Sequence, residues 1–143
     1  MTPSSVMVTA DENTSIDKFY KKNTELNFSR IPILNDSNIE SYVLKDTILE
    51  HIINNKGKLK LSEIKRPIII SQEYTKIPEL FDELLKKREH ISLVVDQYNT
   101  TLGIVTLEDI IETILGYEIV DETDMVDDMQ VLAKKIKPTL NKT

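Results

Sequence analysis

The chain repeats itself, and that limits its fold more than any single motif does. Three segments recur at a spacing of about 61 to 62 residues. Thr14-Ser15-Ile16 opens one helical pattern, and Thr75-Lys76-Ile77 opens another. Ile31-Pro32-Ile33-Leu34 answers the strand-like Ser92-Leu93-Val94-Val95. Ser41-Tyr42-Val43 with Ile48-Leu49-Glu50 answers Gly103-Ile104-Val105 with Ile110-Ile111-Glu112. Each copy reads β-α-β-β-α. Neither copy is large enough to bury its own apolar face well, so the two are expected to pack as one folding unit.

The periodicities support that order. Ile77, Leu80, Phe81, Leu84 and Leu85 follow i, i+3, i+4, i+7, i+8, an amphipathic helix. Ile110, Ile111, Ile114 and Leu115 make a shorter one, matched in the first copy by Ile48, Leu49, Ile52 and Ile53. Ile16, Phe19 and Tyr20 mark a weaker first helix. Ile68-Ile69-Ile70, Leu93-Val94-Val95 and Ile104-Val105 are short β-branched runs between polar turns, as strands are. Pro32 lacks an N–H, which predicts an edge strand or the first residues of a strand.

These patterns give a first repeat over 1–55, a basic crossing linker over 56–66 and a second repeat over 67–118. An acidic linker and a last helix follow over 119–143. The acidic stretch holds five acids in the eight residues Asp121–Asp128, and Met125, Met129, Leu132, Ala133 and Ile136 line one face of the helix. The acidic run has no glycine-bearing loop of the kind that cages calcium, so a solvated linker is the expectation and no metal site is assigned.

Composition then removes whole classes of function. A net charge of -6 argues against nucleic acid, because neutralising phosphates needs surplus Lys and Arg. The absence of cysteine rules out disulfides, thiol chemistry and Cys-ligated zinc. Two histidines supply a metal centre or catalytic triad poorly. No apolar run approaches the roughly 20 residues that span a bilayer, and Met1–Ala10 has no signal-peptide pattern. With no nucleophile beside a histidine, no paired carboxylates and no Gly-rich phosphate loop, the reading is a non-enzyme: a soluble α/β (α+β) domain of a reducing compartment.

The tandem repeat ending in Gly103-Ile-Val-Thr106-Leu-Glu-Asp109 resembles a cystathionine-β-synthase (CBS) domain pair, the Bateman module. Met1-Thr2-Pro3, Phe28-Ser29-Arg30-Ile31-Pro32, Val94-Val95-Asp96-Gln97-Tyr98, Leu107–Glu112 and Gly116–Glu122 narrow the likeness. Together they are similar to the CBS pair of haemolysin-like CorC and cyclin-M membrane proteins, associated with magnesium and cobalt transport. The resemblance implies two repeats related by a pseudo-two-fold axis. It implies an adenine nucleotide (ATP, ADP or AMP), with or without Mg2+, as ligand. It further implies a disc-like homodimer at the cytoplasmic face of the membrane, regulating an attached integral-membrane domain. Asn99-Thr100, where relatives usually carry glycines, departs from the pattern in a hairpin turn.

Backbone N–H groups where the strand ending at Thr106 runs into a helix favour a phosphate. Thr106 could add its hydroxyl, Asp109 could accept from both ribose hydroxyls, and Gly103 would admit a nucleotide or a neighbouring backbone. Thr106-x-x-Asp109 also fits a capping box, in which the two side chains satisfy the helix itself. Ile69 and Ile70 would wall an adenine ring, and Ser92 and His90 could line the same cleft. Lys65 and Arg66 could reach phosphates, while Arg30 faces either the cleft or a partner. Sliding by 62 sets Ser41, Leu44 and Thr47 opposite Gly103, Thr106 and Asp109, with Asp46 one residue from restoring an acid. One competent site, built by the second copy, is expected. The rival is a module that dimerises and binds nothing.

Overall fold

Two four-stranded mixed sheets carry the chain, and each takes its last strand from the other repeat. The computed structural model describes residues 1–25 and 27–121, with side chains as far as Gly116 at the C-terminal end. The first repeat runs β2 (Ala10–Asp11), α1 (Ile16–Lys22), β3 (Arg30–Asn35), β4 (Asn38–Leu44), α2 (Lys45–Ile53). The second runs β6 (Ile69–Gln72), α3 (Ile77–Lys87), β7 (Ile91–Val95), β8 (Thr101–Thr106), α4 (Leu107–Asp121). The β-α-β-β-α order expected of each copy is observed.

Two short strands complete the sheets. β1 (Thr2–Pro3), ahead of the first repeat, pairs with β8, and β5 (Arg66–Pro67), ahead of the second, pairs with β4. The orders β2-β3-β4-β5 and β6-β7-β8-β1 are thus equivalent, each closed by an X-Pro strand from beside the opposite copy. A proline suits such an edge, since it offers no N–H for further pairing. The run Ile68-Ile69-Ile70, read as one strand, is broken at Ile68: the chain leaves one sheet at Pro67 and joins the other at Ile69. Both hairpins also slip register by one residue, at Ile33/Leu34 and at Val94/Val95.

Each helix forms where its apolar stripe meets a sheet. Ser15 caps α1, its hydroxyl accepting the Lys18 N–H at 3.2 Å, and Ile16 and Phe19 turn inward. α3 opens with Pro78 in its first turn, buries Leu80 and Leu84, and stops at Arg88 in the left-handed conformation. Ile16, Phe19, Ile31, Ile33, Val43, Ile48 and Leu61 form the core of the first repeat. Ile69, Leu80, Leu84, Val94, Val105 and Ile110 form that of the second. A third cluster joins them: Tyr42 from β4 packs on Ile68, Ile91, Leu93 and Ile104, with Ile39 and Leu44 beside it.

Two expectations change. Pro32 is the third residue of an inner strand, but β2 covers only Ile33 and Leu34, leaving the flank beside Pro32 open where its missing N–H is tolerated. Residues 56–66 do not simply cross over. Ile16 and Asp17 donate to the carbonyls of Leu59 and Gly57, Leu61 and Ser62 donate to those of Thr14 and Glu12, and Leu61 is fully buried. The predicted last helix over 125–136 and the acidic run, apart from the backbone of Asp121, lie outside the described residues.

Candidate functional site

Thr106 ends β8 and opens α4, and its side chain is already engaged. Its hydroxyl accepts the Asp109 N–H at 3.2 Å, and Asp109 Oδ2 accepts the Thr106 N–H at 3.3 Å. This is the reciprocal capping box expected of the spacing. The Met1 amino group stands 3.9 Å from the same carboxylate oxygen. A backbone clamp braces the junction, with Leu107 N–H donating to the His90 carbonyl at 2.8 Å.

Sheet register decides which of the other residues share a face with Thr106. Thr106 lies opposite Ile91, Ile104 opposite Leu93, and Leu93 opposite Ile70. Paired side chains point the same way, so Thr106, Leu93 and Ile70 all face the first repeat. Ile70 is 46% exposed and supplies the apolar wall. Ile69 points oppositely, into the core beneath α3 and α4, and offers backbone only. Ser92 does not line the cleft. It is fully buried, and its hydroxyl is spent on the carbonyls of Ile69 and Leu93 and on Ser71 Oγ, pinning β6 to β7. The space that Gly103 leaves is filled by protein: a Cβ there would lie 2.2 Å from the Thr2 carbonyl oxygen of β1.

Along the outer edge of β6 runs a cleft of about 370 Å³, lined by Pro67, Ile68, Ile69, Ile70, Glu83, Lys87 and Glu89. As the edge strand of its sheet, β6 turns unpaired backbone groups toward it. Thr106 lies two strands away, roughly 10 Å by strand spacing. A cavity of about 400 Å³ between the two hairpin tips has no basic residue in its lining, and Glu40 is its one charged group.

The cations sort themselves by partner. Lys65 is drawn to the first repeat, its Nζ 3.0 Å from Glu12 Oε2. Arg66 turns the other way, 3.5 Å from Glu89 Oε1 and 5.9 Å from the centre of the Tyr42 ring. Tyr42 donates to Glu89 Oε2 at 2.6 Å. Burial first, then the bond to Glu89 and its charge, push the Tyr42 hydroxyl up to about 12, against the opposing pull of Arg66 and Arg30. Arg30 lies close enough to Tyr42 for its charge to be felt there. His90 is exposed and serves through its carbonyl. Sequence reading missed Tyr42 and Glu89, because a tyrosine within a strand and an acid within a charged turn carry no signal of their own.

The first repeat has the same frame without these side chains. Lys45 N–H donates to the Ser29 carbonyl at 2.8 Å, yet no side chain caps α2, and Asp46 is exposed.

The CBS domain family model matches residues 61–116. The CBS domain of a candidate transporter from Clostridium difficile 630 is 33% identical with a TM-score of 0.72, the match covering 82% of this chain and 91% of that one. The chain belongs to the CBS-domain family. A CBS domain of the bacterial CNNM/CorC family Mg2+ transporter, in complex with ATP, matches with a TM-score of 0.75 at 28% identity, over 81% of this chain and 84% of that one. The magnesium and cobalt efflux protein CorC of Vibrio cholerae is 32% identical over 126 residues, 87% of this chain but 43% of that protein. The chain spans less than half the length of the curated relatives it matches. This CBS pair is similar to CorC-type proteins, the likeness expected from its motifs. Among its described residues no helix is long and apolar enough to cross a membrane.

Proposed function

We propose that this CBS pair is a non-catalytic, regulatory adenine-nucleotide sensor of a CorC-type magnesium or cobalt transport protein. The nucleotide lies between β6 and the mouth of α4, with its base against Ile70 and the edge of β6. Asp109 takes the ribose and Thr106 the first phosphate. The observation that carries the reading is that Thr106 and Ile70 share one sheet face, with Ile70 at the cleft along β6, whereas the first repeat has Leu44 and Thr47 where the second has Thr106 and Asp109. The ATP complex of the CNNM/CorC relative supports it. Binding can leave the box closed, since the Thr106 hydroxyl only accepts within it and keeps its own proton to donate, and Asp109 uses only Oδ2. Magnesium entering with the phosphates would neutralise part of their charge.

The signal is passed as a change in arrangement of a homodimer attached to a membrane domain at its cytoplasmic face. The ligand shifts that equilibrium only by binding the two arrangements unequally. Ile53 on α2 and Leu85 on α3, 78% and 50% exposed, are apolar surface that a second copy would cover. A ligand-free dimerisation module is the second reading, favoured by the self-closed box and by β1 filling the space at Gly103.

Calorimetric titration with ATP, ADP and AMP, each with and without magnesium, separates the two. The sensor gives one saturable heat per chain, lost in Asp109→Ala, whose cap loss costs only about 1 kcal/mol of stability. Silence at millimolar nucleotide leaves the dimerisation module.

A further inference from the structure

We infer that Glu89 and Arg66 form an exchangeable pair that makes this cleft discriminate ligands by phosphate number: a polyphosphate takes Arg66 from Glu89, and a monophosphate does not. This rests on the nucleotide reading above and adds a specificity element to it.

The two members of the pair are held very differently. Glu89 is anchored, its side chain 16% exposed and one carboxylate oxygen bound by the Tyr42 hydroxyl at 2.6 Å. Tyr42 is itself 2% exposed, locked in the cluster between the sheets. That hydroxyl keeps its proton well above neutral pH and so remains a donor to Glu89 there. Arg66 is the loose member: its side chain is 51% exposed and its contact to the other carboxylate oxygen is 3.5 Å long. An exposed pair of that length is weakly held and exchanges readily.

Glu89 also stands where it can sense the ligand. It lines the cleft with Ile70, and the next residue, His90, clamps the first N–H of α4. Its fixed negative charge repels every phosphate, and the repulsion grows with ligand charge. A single phosphate held at Thr106 gains little from Arg66. Further phosphates extend the negative charge and offer the guanidinium a bidentate partner better than the carboxylate it leaves. The counterpart of Glu89 in the first repeat, by the same offset of about 62 residues, is Asn27, which can do neither.

The test is titration of the whole chain and of Glu89→Gln, Arg66→Gln and the double variant with ATP, ADP and AMP, with thermal melts to verify folding. Gln at 89 keeps an acceptor for Tyr42 while releasing Arg66. Glu89→Gln is expected to tighten ATP by about tenfold, and Arg66→Gln to weaken it by about tenfold. Each should move AMP by no more than roughly twofold, and the double variant should be non-additive. Equal shifts for all three nucleotides, or additive effects, overturn the pair. So does weaker ATP binding by Glu89→Gln only when magnesium is present, which would make Glu89 a metal ligand instead. If the wild-type chain binds no nucleotide, the sensor reading falls and this inference with it; wild-type binding with equal shifts removes this inference alone.

Discussion

Both repeats fasten their second helix with one backbone bond, Lys45 N–H to the Ser29 carbonyl and Leu107 N–H to the His90 carbonyl, each 2.8 Å long. Both bulge at the same place in the hairpin and both borrow an X-Pro strand. What differs is which side chains stand on that shared frame. Thr106, Asp109 and Gly103 in the second repeat correspond to Leu44, Thr47 and Ser41 in the first. Tyr42 of the first corresponds to Ile104 of the second, and both lie in the cluster between the sheets. The frame is thus a property of the fold, and the side chains at these positions differ between the copies without changing it.

The comparison breaks most visibly at the borrowed strands. Gly103 faces the Thr2 carbonyl where a Cβ would sit at 2.2 Å, whereas Ser41 opposite Pro67 already carries a side chain. Gly103→Val is expected to destabilise the fold by about 3 kcal/mol through overpacking. Ser41→Gly should cost less than about 1 kcal/mol. Chemical denaturation of the two variants measures the contrast.

The inter-repeat tether sharpens it through pH. Tyr42 has an ordinary value of 10.0 and is raised to about 12 in the fold, so the folded chain holds that proton more tightly than the unfolded one. The stabilisation is complete below pH 10 and is lost as pH climbs from 10 to 12, amounting to about 3 kcal/mol. Stability curves for wild type and Tyr42→Phe should diverge in that window, the variant lacking this share of the decline. With five tyrosines and no tryptophan, absorbance titration should resolve one late-ionising tyrosine that vanishes in the variant.

Smaller effects follow from exchanging the caps. Thr106→Leu gives the second repeat the residue of the first, and should cost about 1 kcal/mol of stability together with the nucleotide heat. The reverse graft, Leu44→Thr with Thr47→Asp, should gain about 0.5 kcal/mol, because a cap is added while Leu44's contact with the central cluster is lost. If that graft also creates a second nucleotide heat, the capping positions alone suffice to make a site. If it does not, the neighbouring cleft residues are needed too.

Much of this was legible because period-two and period-3.6 patterns are local. The apolar stripe from Ile77 to Leu85 and the alternation around Leu93 and Ile104 specify helix and strand through neighbours a few residues away. The repeat offset by itself sets Leu44 opposite Thr106. The same locality explains what was misplaced. Ser92 and Ile69 sit in strands read correctly as strands, but whether a strand residue faces cleft or helix depends on pairing partners more than 20 residues distant. Ile68-Ile69-Ile70 reads as one apolar run, although the chain changes sheets within it.

The sequence by itself determined the repeat, the order of elements in each copy, the capping pair Thr106–Asp109 and the absence of thiol chemistry, since each is written in spacing or composition. Tertiary structure alone decided that Thr2-Pro3 fills the space at Gly103, that Lys65 turns to Glu12 while Arg66 turns to Glu89, and that Tyr42 anchors Glu89 across the two repeats. Those are contacts between residues 23 to 101 positions apart. Their partners are chosen by how two sheets pack, through burial and charge in three dimensions, and no local pattern in the chain encodes that choice.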